Sequence, residues 1–232
     1  MTPRQFALLA GISIVVMTLV AGITMGGVFA PLFEMSIEEF TEQDPAISSN
    51  YFLGVVGWII ILITDVLASW GLYKYYLKKS ANKAIVMGLL RLVYSGVLLI
   101  AIVQLVRSYY AINGTNVDME RAHNLLFSFR SIWQFGLIIF GIHLLYLSKL
   151  VCKKRSIRQV ISALLFISGI GYFGSNTADL FIANYEQLRA QIDVYFILPM
   201  IFGEFGLAIW LLIKGGRPMR LIRHNTFPDP AE

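Results

Sequence analysis

The sequence predicts an all-α polytopic membrane protein, a bundle of six transmembrane helices with both termini in the cytoplasm. Three observations carry that prediction. Hydrophobic residues make up 57% of the chain and charged residues only 14%, well below the about 25% charged of an ordinary soluble domain. The apolar residues fall into runs of roughly 18 or more, the length that crosses a hydrocarbon core of about 30 Å. Lys and Arg, finally, cluster in alternate loops. Arg4, Lys74, Lys78, Lys79 and Lys83, the group from Lys149 to Arg158, and the tail from Lys214 to Arg223 share one side, against Arg107, Arg121 and Arg189 on the other. Basic residues are retained on the cytoplasmic side, which orients the chain. Lipid satisfies no open backbone group, so the crossing elements are helices.

Taken in order, the first span covers residues 6–29, and its apolar length exceeds a signal-peptide core of about 7 to 15 residues, so it reads as a retained helix. Gly22, Gly26 and Gly27 give it a small-residue face for close packing. The following stretch is acidic, and Ser36 with Glu39 forms a capping box that predicts a short helix. The second span, 51–76, contains Asp65, and a basic turn with Lys78, Lys79 and Lys83 leads into the third, 84–110, which contains Arg91 and Tyr94. The fourth, 124–148, holds Arg130, Trp133, Gln134 and His143. In the fifth, 159–176, Gly169, Gly171 and Gly174 spell a dinucleotide fingerprint, but no strand precedes them, so they read as helix packing. Phe181, Tyr185, Leu188 and Ile192 recur as a helical stripe over 177–193, which predicts an amphipathic segment on the outer surface. The sixth span, 194–213, carries Pro199 and Glu204, and a basic tail, 217–232, follows the single transmembrane domain of 1–216.

Charges inside these spans are the informative residues. Each costs about 2.5 to 3.5 kcal/mol near a helix centre, so it faces the protein interior and seeks a partner. With a rise of about 1.5 Å per residue, Asp65 lies roughly 16 Å from the basic turn and Arg91 roughly 10 Å, a difference that an arginine side chain bridges. Tyr94 shares the face of Arg91, three residues on. Glu204 has no basic residue on its own span, and His143 and Gln134 are polar groups on the fourth. Asp65, Arg91, Tyr94, Gln134, His143 and Glu204 are therefore the candidate polar centre. Asp65 and Arg91 have a bland reading, an ion pair that fixes helix register. Glu204 and His143 have one too, as buried polar groups bonded within the bundle.

Several chemistries are excluded. Of three histidines only His143 lies in a span, and no His or Cys pair has ligand spacing, so no metal and no cofactor is expected. No activated nucleophile is announced, so no catalytic residue is assigned. The net charge of +5 sits in short loops rather than in a phosphate-tracking patch, which excludes nucleic acid as a partner. Cys152 is the single cysteine, so no intrachain disulfide forms. Membrane lipids and a small amphiphilic ligand are the expected partners, and a homo-oligomer stays open but unsupported by the sequence. The function read from these residues is binding or translocation of a small amphiphilic or proton-coupled ligand. The alternatives are an intramembrane enzyme acting on a lipid-like substrate through Glu204 and His143, and a structural subunit whose charges only specify packing.

Four stretches carry a family resemblance: Asp65-Val66-Leu67-Ala68-Ser69-Trp70-Gly71-Leu72-Tyr73; Arg91-Leu92-Val93-Tyr94; Phe140-Gly141-Ile142-His143-Leu144-Leu145; and Gly203-Glu204 ahead of Leu207 to Gly215. Together they resemble the bacterial integral membrane family known as domain of unknown function 4386. The likeness spans nearly the whole chain. Family members often carry a proline before the fifth span and an acidic residue after its Gly-Tyr, where this chain has Ser156-Ile157-Arg158 and Ser175-Asn176. The resemblance implies a multi-pass protein of the bacterial inner membrane and brings no activity with it.

Overall fold

Thr2 opens the first helix with a capping box: its side chain accepts from the Gln5 amide while the Gln5 side chain takes the Thr2 amide, and Pro3 occupies the first turn, where its missing N–H costs nothing. The computed structural model describes residues 1–42, 46–182 and 185–217, without the side chains of 46–49 and 186–193. Helix α1 (Pro3–Ala21) continues through a π-helical segment (Gly22–Phe29) into α2 (Ala30–Glu34), and α3 (Ile37–Thr41) follows. Then come α4 (Ala46–Leu77), α5 (Ala81–Asn113), α6 (Met119–Val151), α7 (Ile157–Phe181) and α8 (Tyr185–Lys214). Six helices are long and apolar enough to cross a membrane, and there is no strand among the described residues. The capping box of Ser36 and Glu39 starts α3 as the sequence predicts.

The helices outrun the predicted spans at almost every end. α5 has 33 residues, which at about 1.5 Å each is roughly 50 Å of helix, so its ends project beyond a hydrocarbon core of about 30 Å. Apolar runs mark the lipid-covered part of a helix and not its length. The stretch 177–193 is divided in the same way: residues 177–181 finish α7, and Tyr185 opens α8, which runs through Pro199 to Lys214 without a break. Of the expected amphipathic stripe Phe181 is exposed and Tyr185 buried; the side chains of Leu188 and Ile192, and the tail beyond 217, lie outside the described residues.

Each long helix packs against its neighbour in the chain, and α8 returns to α1, so α1, α4, α5, α6, α7 and α8 close a ring. Glycines sit where backbones approach most closely. A Cβ at Gly141 would lie 2.6 Å from the Phe173 amide nitrogen, one at Gly169 would lie 2.9 Å from the Gly141 carbonyl, and one at Gly71 would lie 2.9 Å from the Ala10 amide nitrogen. Packing rather than a nucleotide is thus the use of Gly169, and Gly171 receives the ring of Phe196. Gly174 meets nothing, and the expected small-residue face of α1 is corrected too: Gly22, Gly26 and Gly27 are exposed and have no neighbour within 4 Å. They occupy the π-helical segment, where the backbone departs from ordinary helical register.

At the basic end, cations from distant segments close helix C-termini, whose last carbonyls lack intrahelical donors. Arg4 donates to the carbonyls of Leu211, Leu212 and Gly215 of α8 and the turn behind it. Lys79 donates to Leu150 O, and Arg158 Nε to Val151 O at 2.8 Å, both at the end of α6. Gly216 turns the chain away with φ +66, and a Cβ there would lie 2.6 Å from the Arg4 nitrogen. A Cβ at Gly215 would lie 2.8 Å from that of Ala7, so the Lys-Gly close of α8 is what lets the ring shut on α1. At the opposite end Phe29, Phe33, Phe129, Trp58 and Trp133 pack ring against ring, mostly tilted or edge-on, Arg130 lies over Phe33, and Phe40 of α3 packs on His123.

Candidate functional site: a central cavity above a buried ion pair

Asp65 of α4 and Arg91 of α5 meet at the centre of the ring with neither side chain exposed, Arg91 Nη2 standing 2.6 Å from Asp65 Oδ1. Removing two charges from water costs several kcal/mol per ion, and attraction repays this only when the remaining polar atoms are also satisfied. Here nearly all are. Arg91 Nε donates to Asp65 Oδ1 at 2.8 Å, and the Ser95 hydroxyl, one helical turn beyond Arg91, lies 2.5 Å from Asp65 Oδ2 and 3.0 Å from Arg91 O. Arg91 Nη2 also reaches Met17 Sδ of α1, at 3.5 Å, and the guanidinium carbon lies 5.3 Å from the centre of the Phe140 ring.

His143 of α6 completes this cluster. Its Nδ1 is 2.8 Å from Met87 O and its Nε2 is 3.4 Å from Arg91 Nη1. A carbonyl only accepts and a guanidinium only donates, so Nδ1 carries the hydrogen and Nε2 is the acceptor. Both ring nitrogens are thereby engaged.

Glu204 of α8 is different. It is 9% exposed, and its Oε2 has no hydrogen-bond partner among the described residues. The carboxyl lies within electrostatic range of Arg91 and Asp65 and lines a cavity of about 230 Å³ to which all six ring helices contribute. Met17, Met25, Ile61, Leu137, Phe140 and Met200 make most of its wall apolar. Trp58 and Trp133 add two indole N–H groups that have no aligned acceptor among the described residues. Tyr94 stands between cavity and ion pair: it lines the first and is within electrostatic range of Asp65, Arg91 and Glu204.

The cavity reaches the outer surface between α1 and α8. Those two helices meet near the basic end, where a Cβ at Gly11 would lie 2.8 Å from Leu212 Cγ. Toward the other end, Thr18, Ala21 and Met25 face Met200 and Ile201 across the cavity, and Ile201 is 48% exposed.

Five of the six candidate residues are thus brought to one region: Asp65, Arg91 and His143 in the bonded cluster, Glu204 on the cavity, and Tyr94 between them. Gln134 is buried on α6 but belongs to neither the hydrogen-bonded cluster nor the cavity wall. Sequence reasoning missed Ser95, although its spacing of four from Arg91 puts it on the same face, and it left Trp133 out of the candidate centre. No group of three His, Cys, Asp or Glu side chains forms a metal site among the described residues.

A closed ring of six membrane-length helices around a buried ion pair defines a multi-pass α-helical membrane protein with a polar centre. The chain belongs to the family described as Domain of unknown function (DUF4386), whose model matches residues 9–215. It is similar to an uncharacterized protein of Archaeoglobus fulgidus, 30% identical over 161 residues that cover 69% of this chain and 83% of the relative. No solved structure matches.

Proposed function

We propose that the protein binds a small amphiphile in the central cavity, with the polar group of that molecule on Glu204 and its apolar part among the methionine and aromatic side chains. One observation carries this reading: Glu204 Oε2 is buried, faces a cavity and has no protein partner among the described residues. A buried polar group left unpaired costs about 1 to 3 kcal/mol, more when charged, so a carboxyl kept in that position is matched by a group from outside the chain. Such a group is a hydrogen-bond donor or a cation. The volume of about 230 Å³ lies just below the about 300–1,000 Å³ of drug-sized pockets, which selects a small molecule or one apolar chain. Because the cavity reaches the surface between two membrane helices, its occupant enters from lipid. Methionines suit an occupant of variable shape, being flexible and polarizable.

The cluster of Asp65, Arg91, Ser95 and His143 has the opposite character. Its bonds are made within the protein, which favours a register-fixing role. An enzyme using Glu204 with His143 as acid and base has less support, because neither nitrogen of His143 is left for a substrate. The positive-inside rule supports a reading with the basic end of the bundle, and so both termini, on the cytoplasmic side, and we assign the protein to the cytoplasmic membrane of a bacterial cell.

The test is mass spectrometry of small molecules extracted from detergent-purified wild type and Glu204→Gln. The expected result is a hydrogen-bond-donating or cationic amphiphile near stoichiometric amount in wild type and depleted in the variant. Identical extracts from the two proteins would overturn the assignment.

A further inference from the structure

A second, separate feature lies between α7 and α8. There an apolar groove of about 550 Å³ runs along the bundle surface, lined by Ile157, Val160, Leu164, Phe202 and Gly206 and ending at Trp210 and Lys214. Ile157 is the first residue of α7 and Lys214 the last of α8, so the groove runs to the basic end of the bundle. Arg158 is held at that end. Its guanidinium carbon lies 4.8 Å from the centre of the Trp210 ring, its Nε is fixed on Val151 O, and its two Nη groups have no partner among the described residues. Lys214 is exposed, and its ammonium likewise makes no bond among the described residues. Ser156 supplies no side-chain cap to α7, so the first amides of that helix add their partial positive charge at the same place.

We infer that this groove is a site for one anionic phospholipid of the leaflet at the basic end, with an acyl chain along α7 and α8 and the phosphate on Arg158 and Lys214. Charge complementarity selects the occupant. Among the described residues the acidic side chains other than Asp65 and Glu204 all lie toward the opposite end of the bundle, so the cations here have no carboxylate near them. A second copy of the chain packed side by side would bring the same basic end against them, whereas an anionic headgroup supplies the missing charge. Guanidinium suits it, because its fork of donors matches phosphate oxygens and only the Nε of Arg158 is engaged among the described residues. The groove has room as well: a Cβ added at Gly206 would meet only Ile161 Cγ1, at 3.8 Å.

The experiment is native mass spectrometry of the full chain released from nanodiscs of equal parts phosphatidylglycerol and phosphatidylcholine with identical acyl chains. Wild type retains one phosphatidylglycerol with about tenfold preference, which corresponds to about 1.4 kcal/mol. Arg158→Gln removes the preference, and Gly206→Leu, which fills the groove and leaves every charge in place, removes the retained lipid itself. Lys214→Gln weakens the preference and serves if Arg158→Gln does not fold. Equal retention of the two lipids by wild type, or undiminished phosphatidylglycerol on Gly206→Leu, overturns the inference. So does a dimer in the nanodisc that Gly206→Leu abolishes.

Discussion

Arg91 Nη2 stands 2.6 Å from Asp65 Oδ1 with both side chains wholly buried, and the hydroxyl of Ser95 occupies the other carboxylate oxygen. Breaking such a pair leaves one buried charge uncompensated, which costs about 3 to 5 kcal/mol. Asp65→Asn and Arg91→Gln are each expected to lower stability by that amount in equilibrium unfolding from mixed micelles. The double variant is expected to lose less than the two single losses together, with a coupling of about 0.5 to 3 kcal/mol. Additive losses would show that the two side chains do not act as a pair.

Glu204 is expected to behave in the opposite way. Its Oε2 makes no bond to the described residues, so Glu204→Gln removes a buried acid without breaking a protein contact. The melting temperature of ligand-stripped protein is expected to stay level or rise, while the copurifying amphiphile is lost. A drop as large as that of Asp65→Asn would assign Glu204 to the framework.

The geometry also fixes one histidine tautomer. With Met87 O on Nδ1 and Arg91 on Nε2, nitrogen NMR of histidine-labelled protein is expected to show His143 with a protonated Nδ1 and a bare Nε2. His143→Ala leaves Arg91 Nη1 without its acceptor, while Met87 O keeps the amide of its own helix, so the cost is that of one orphaned buried group, about 1 to 3 kcal/mol.

The glycines separate by their surroundings. Gly141→Ala drives a methyl to within 2.6 Å of Phe173 N, and such overpacking costs about 1 to 3 kcal/mol. Gly174→Ala and Gly96→Ala meet nothing within 4 Å and gain up to about 1 kcal/mol of helix propensity. Thermal melts of the three variants in one detergent compare these signs directly.

Lys79 supplies a pH dependence at the basic end. Burial against the end of α6, and next the charge of Arg158, hold its amine below the usual lysine range. The unfolded chain therefore keeps this proton at pH values where the folded chain has lost it, so stability rises with pH between the folded and unfolded values and is lowest below both. Melts recorded from pH 8 to 11 are expected to show wild type gaining on Lys79→Met as pH rises. A constant difference between the two would contradict the assignment.

The sequence made part of this legible for a physical reason. A charge in an apolar run has few places to go, so Asp65, Arg91 and Glu204 announced themselves, and helix rise alone put Asp65 and Arg91 at compatible depth. Glu204 was already conspicuous for having no basic residue on its span, and the structure leaves its Oε2 without a bond. What stayed hidden was which apolar face meets protein and which meets lipid. Lipid tails are as apolar as leucine, so no hydrophobic pattern distinguishes the two. That is why the glycines of the first span read as a packing face and prove exposed, and why Gln134 was grouped with a cluster it does not join. The continuity of α8 through Pro199 and the separation of the polar centre into a bonded cluster and an open carboxyl likewise depend on long-range packing, which local spacing does not encode.

The most direct measurement is an experimental structure of the wild-type chain in a lipid nanodisc at a resolution that shows side-chain hydrogen bonds. Non-protein density is expected in the cavity between Trp58, Met200 and Glu204, with a polar atom within hydrogen-bond distance of Glu204 Oε2. A Glu204 carboxyl bonded to a protein group, with α1 and α8 closed over the cavity, would contradict that expectation.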